Sequence, residues 1–178
     1  MWFLCIYFQY LGLSVEESVP ATHAFVSGKS IGETGATLPS NVMKTLQTKD
    51  LKLLQKNLPR GILVKTYEDR GNLFSAMVIG PESTPYEDCP FFFEIMIPSD
   101  YPNSPPLMHY QSFCSDRLNP NLYENGKVCV SLLGTWSGSG SEVWNPKVSN
   151  LLQVLLSIQG ISKLSQVLGE KVKECSFE

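Results

Sequence analysis

Two periodicities alternate along the chain from Ser40 onward. The stretch "SNVMKTLQTKDLKLLQKNLPRG" (residues 40–61) sets Val42, Met43, Leu46, Leu51, Leu53, Leu54 and Leu58 at near-helical spacing. A capping-type serine, Ser40, opens it and Pro59-Arg60-Gly61 stops it, so the pattern predicts a helix over 41–57. The period then shortens. "GILVKTYE" and "LFSAMVIG" alternate or are β-branched, "FFFEIMIP" is aromatic-rich, and "LMHYQSF" is a short fourth run. The turn-rich stretches "EDRGN" and "GPESTPYEDCP" separate the first three. Strands joined in sequence by short connections predict an antiparallel meander. Helical spacing returns in "KVSNLLQVLLSIQG" (residues 147–160).

The order is helix, four strands, a long irregular segment from Cys114 to Pro146, and a helix. That is an α+β plan with the long loop as its expected working part. Residues 1–38 show no clear period. Their small, polar run "SVEESVPATHAFVSGKSIGETGATLPS" reads as a flexible lead-in. Three segments follow: a lead-in over 1–38, a core domain over 39–160 and a tail over 161–178. The tail can continue the preceding helix, with Ile158, Ile161, Leu164, Leu168 and Val172 as an apolar stripe.

Composition narrows the function classes. The 178 residues are 43% hydrophobic and 17% charged, with a formal net charge of -3. This is ordinary globular composition without the basic footprint of a nucleic-acid binder. No stretch reaches the ~18 apolar residues of a membrane span. The opening "MWFLCIYFQYLGL" lacks the basic start and cleavage pattern of a signal. The five cysteines are odd in number and never in CxxC spacing, which argues against a zinc site or a disulfide framework. They favour a reducing compartment, hence the cytoplasm, with the nucleus as a second location.

The chemistry-bearing candidates cluster in "NPNLYENGKVC" (residues 119–129). Asn-Pro favours a turn and Asn125-Gly126 suits positive φ. Such a turn would bring the Asn121 amide close to Cys129. A fixed N–H donor beside a thiolate suits acyl chemistry, because charge builds on the carbonyl oxygen under attack. The same residues also fit a buried, inert thiol behind a structural turn, and spacing leaves both readings open. "YPNSPP" (residues 101–106) is a rigid connector or a stiff partner surface. Trp136 and Trp144 bracket a glycine-serine loop without a phosphate-binding pattern. His23 and His109 read as structural or exposed, and a cysteine hydrolase would need one of them beside Cys129.

Taken in order, these pieces resemble the ubiquitin-conjugating enzyme family over about Ser40 to Gly160. The landmarks are the first helix, "GPESTPYEDCPFFFEIMIPSDYPNSPP", "LNPNLYENGKVCVSLL" and "WNP" before "LLQVLLSIQ". The Asn119-Pro120-Asn121 triplet, where the family usually has His-Pro-Asn, and the lengthened "GTWSGSGSEVWNP" look like the large hybrid conjugating/ligase type called ubiquitin-conjugating enzyme O. In that type the domain sits near the end of a much longer chain, so a fragment, short isoform or incomplete gene model is expected.

The resemblance implies a ubiquitin-conjugating fold whose C-terminal helices are truncated or replaced. It implies Cys129 as the thioester cysteine and Asn121 as the oxyanion donor, on a turn supported by Asn119, Pro120, Tyr123 and Gly126. Pro98, Tyr101, Trp144 and Pro146 would occupy partner-binding loops beside the first helix. The implied partners are ubiquitin, the ubiquitin-activating enzyme, a ubiquitin ligase and protein substrates, with no nucleic acid or membrane. No metal or cofactor is implied, since ATP is consumed by the activating enzyme. No base is placed to take the proton of the attacking lysine; desolvation near Tyr123 or the 134–144 loop is the alternative route. Two departures carry consequences. Cys89 stands where the family has glycine, predicting a strained turn or a second accessible thiol. The altered tail would expose apolar surface on the 148–160 helix and lower solubility, and it favours a rival reading, an impaired fold that only binds ubiquitin or a partner.

Overall fold

A computed structural model describes residues 12–26, 38–115 and 117–164, with side chains through residue 160. The sheet runs β1 (Leu13–Glu16), β2 (Ile62–Tyr67), β3 (Leu73–Ile79), β4 (Pro90–Met96) and β5 (Leu107–Gln111) in spatial order. β2 to β5 form the expected antiparallel meander, and β1 adds to β2 in parallel. The helices are α1 (Ser40–Thr45), α2 (Leu51–Asn57) and α3 (Leu151–Leu164).

The alternation in the strands decides the core face. Register aligns Ile62 with Val78 and Phe91; Val64 with Ala76, Phe93 and Tyr110; and Thr66 with Phe74, Ile95 and Met108. Against these rows pack Leu46 and Leu54 from the first helical run, and Leu151, Val154, Leu155 and Ile158 from α3. Each fully buried side chain of this size stabilises the fold by about 1.5–3 kcal/mol.

The first helical run is not uniform. α1 and α2 are joined by a π-helical turn, Leu46–Asp50. Val42, Leu46, Asp50 and Leu54 are four residues apart and all buried, so one carboxylate sits in the apolar stripe. Ser40 does not cap the helix: the N-cap is Pro39, without a side-chain cap bond. α3 starts later than the pattern predicts, because residues 147–150 form a turn and a cap. The Asn145 Oδ1 accepts from Lys147 N and the Asn150 Oδ1 from Gln153 N, both at 3.0 Å. Of the apolar residues from 148 to 160, Val148 and Leu156 are exposed. The rest of the expected tail stripe, from Ile161 on, lies outside the described side chains.

The lead-in reading needs correction over residues 12–26. Beyond β1, residues 19–26 cover the sheet face opposite the core, where Phe25 packs with Tyr67, Leu73 and Met96. His23 is buried and its Nε2 donates to the Phe74 carbonyl at 3.1 Å. Ala24 N donates to Glu94 at 2.7 Å, and Val19 N donates to the Asp69 carboxylate. A four-residue strand paired to a distant partner leaves no periodicity to read. Cys114 is disulfide-bonded, against the expectation drawn from the odd cysteine count.

Candidate active site

Beyond β5 the chain turns back on itself and stays attached to that strand. Leu122 bridges both Asn119 and Val128, and Lys127 bridges His109. Tyr123 N donates to Lys127 O and Gly126 N to Tyr123 O, each at 3.0 Å, while Tyr110 N donates to Gly126 O at 2.8 Å. Gly126 is required twice over. Its φ of +87° favours glycine, and a Cβ there would lie 1.9 Å from the His109 ring. The His109 ring thus fills the space beside Gly126 from β5.

This folding closes the eight-residue gap to the thiol. Cys129 N donates to Asn121 O at 2.8 Å, and Asn121 Nδ2 donates back to Cys129 O at 2.8 Å. The second Nδ2 hydrogen of Asn121 has no partner among the described residues. Asn119 is buried, and its Oδ1 accepts from Asn121 N at 2.8 Å, so the Asn-Pro-Asn turn is tied internally. Pro120 is exposed at its apex. Cys129 lies between buried Val128 and Val130 and is itself 2% exposed.

Three supports were missed in the sequence. The Thr135 hydroxyl donates to Val128 O at 2.6 Å and accepts from Val130 N at 2.9 Å, clamping the chain on both sides of Cys129. The Tyr86 hydroxyl donates to Leu118 O at 2.6 Å. Arg117 donates to the carbonyls of Asn119 and Pro120, and its guanidinium lies 3.7 Å from the Tyr123 ring centroid. An arginine two residues before a turn carries no motif, but its placement beside Asn-Pro was the signal available.

The residues assigned to partner loops form a second constellation at α2 and α3. The Tyr101 and Trp144 rings are 5.8 Å apart, and Trp144 Nε1 donates to Pro102 O at 2.8 Å. The Tyr101 hydroxyl donates to Asp50 Oδ1 at 2.8 Å, and the same oxygen accepts from Leu151 N at 2.9 Å. Burial pushes the Asp50 carboxyl up against the pull of those two donors. The Tyr101 hydroxyl is pushed up by burial and by Asp50, so it stays protonated and donates. Pro98 is half-buried and Pro146 exposed, both outside these hydrogen bonds.

The ubiquitin-conjugating enzyme family model matches residues 46–167. The chain belongs to that family. It is 58% identical over 112 residues to Probable ubiquitin-conjugating enzyme E2 23 of Arabidopsis thaliana, covering 63% of this chain and 10% of that protein. It is 49% identical over 133 residues to Putative ubiquitin-conjugating enzyme E2 39 of the same plant, covering 75% and 40%. It is also 44% identical over 102 residues to human Dual E2 ubiquitin-conjugating enzyme/E3 ubiquitin-protein ligase BIRC6, covering 56% and 2%. This chain spans 10–18% of the length of the first three curated relatives it matches. Human Ubiquitin-conjugating enzyme E2 G1 shares the fold, with a TM-score of 0.58 and 25% identity over 72% of this chain and 99% of its own.

The family's usual glycine position does not strain Cys89. The left-handed residue is the preceding Asp88, at φ +61°, while Cys89 packs half-buried against the core. Burial and then the Asp88 charge push its thiol up, which weakens it as a nucleophile. Among the described residues no group of three or more metal-ligating side chains converges, and no helix is long and apolar enough to cross a membrane.

Proposed function

We propose that this chain carries ubiquitin as a thioester on Cys129 and transfers it to a substrate lysine. The Cys129 thiolate attacks the thioester that joins ubiquitin's carboxy terminus to the activating enzyme. The new S–C bond forms as the activating enzyme's thiolate leaves. A neutral lysine amine then attacks the carbonyl, Cys129 departs as thiolate, and the proton released from the amide nitrogen passes to solvent. In each step the carbonyl oxygen gains charge. Asn121 supplies the donor: one Nδ2 hydrogen is tied to the Cys129 carbonyl, and the other serves the oxyanion. The mutual Asn121–Cys129 hydrogen bonds within a conjugating-family domain are the observation that carries this reading.

The Tyr101–Trp144 platform and its neighbours Pro98 and Pro146 would receive the activating enzyme or a ligase. Asn119, Pro120, Tyr123 and Gly126 shape the turn. One observation favours the rival, a fold that binds without chemistry: Cys129 is only 2% exposed, as an inert thiol would be.

A single-turnover experiment separates the two. The chain is charged, the activating enzyme is quenched, and free lysine is added. Carrier function predicts loss of the reducible adduct at a rate that rises with lysine concentration. A folded chain that forms no reducible adduct would assign it to the binding reading, and an adduct that ignores lysine would remove the transfer step.

A further inference from the structure

The turn that bears Asn121 is gripped from outside by one side chain. Arg117 Nε donates to Asn119 O at 3.3 Å, and its Nη2 donates to Pro120 O. The guanidinium plane then lies over Tyr123, with Cζ 3.7 Å from the ring centroid, and Lys127 approaches the same ring at 5.7 Å. The contacts fall on residues 119, 120 and 123, on both sides of Asn121 in sequence. Only a planar fork with several fixed donors can read two successive carbonyls while stacking on an aromatic face. Inside this grip, Asn119 Oδ1 holds Asn121 N and the Asn121 amide holds Cys129 O.

We propose that Arg117 is a positioning residue for the transfer step: it clips the Asn119 and Pro120 carbonyls and stacks on Tyr123, fixing the Asn121 amide relative to Cys129. The proposal rests on the reading of Cys129 as acyl carrier. It makes Arg117, rather than a ring at position 119, the outer brace of the turn in this chain. Arg117 acts through Asn121 and does not touch the reacting carbonyl. Small displacements of a positioned donor are expensive, since a misplacement near 1 Å can cost on the order of 100-fold. Loss of one brace while the internal Asn119 tie remains should cost about tenfold.

The test uses the whole chain with Arg117→Ala, Arg117→Lys, Asn121→Ala and the Arg117→Ala/Asn121→Ala pair. Charging by the activating enzyme and discharge to free lysine are timed separately, and thermal midpoints are recorded. The expected result is near-wild-type charging with about tenfold slower discharge in Arg117→Ala. Arg117→Lys should recover only a minor part, because a point charge cannot fork or stack. In the Asn121→Ala background, adding Arg117→Ala should change discharge by less than about twofold, because both changes remove the same contribution. Four results overturn the proposal: unchanged discharge, equal slowing of charging and discharge alongside a lowered midpoint, full rescue by lysine, or additive losses in the pair. A folded wild-type chain that never charges would instead remove the carrier reading, and the proposal with it.

Discussion

Asn121 and Asp50 are both polar residues whose partners define their roles, but in opposite settings. Asn121 is half-buried on a surface turn, with one amide hydrogen engaged. Asn121→Ala should slow discharge to lysine by about 10²–10³-fold, the usual cost of one oxyanion donor, and single-turnover rates measure it. Asp50 is fully buried, with Oδ1 shared by Tyr101 and Leu151 N and Oδ2 without a partner among the described residues. Its carboxyl holds a proton more tightly folded than unfolded. The stability it contributes is therefore complete below the unfolded carboxylate value and is lost as pH rises through the folded value. Asp50→Asn should gain on the wild type as the pH of urea unfolding is raised from below the ordinary carboxylate value to neutrality; a constant difference over that whole range would refute the assignment. Asp50→Ala should lose about 2–4 kcal/mol at low pH and less as pH rises, because two buried donors lose an acceptor whose own contribution fades as it ionises.

At the scale of elements, the 119–129 turn depends on Gly126 both for its backbone and for the space that the His109 ring fills. Gly126→Ala should lower the thermal midpoint, and His109→Ala in the same chain should recover only part of the loss. That change relieves the clash but not the positive φ. The meander was legible because β2, β3 and β4 keep one face apolar, and the turn because Asn-Pro and Asn-Gly have strong local preferences. The π-helical turn was not legible: Leu46, Asp50 and Leu54 fit an ordinary helix equally well. Nor were the supports of the site. Thr135, Tyr86 and Arg117 act on backbone carbonyls, which carry no sequence signal of their own.

The whole molecule is a sheet with two covered faces, and the second cover comes from the segment that looked featureless. Phe25, His23 and Val19 seal Tyr67, Leu73 and Met96, while β1 pairs along β2. Removing residues 1–37 should expose that cluster and lower the thermal midpoint by several degrees, on the order of 4–8 °C per kcal/mol lost for a small domain. An unchanged midpoint would show that residues 12–26 add no stability. The Lys65–Glu16 ion pair in the same region is half exposed and should contribute under about 1 kcal/mol. The whole molecule's proposed role turns on which thiol forms the thioester. Mixing the chain with activating enzyme, ubiquitin and ATP, then resolving it with and without reductant, decides this directly. The account predicts a reducible adduct one ubiquitin heavier, absent in Cys129→Ala and retained in Cys89→Ala. An adduct that survives Cys129→Ala, or none from a folded wild-type chain, would contradict it.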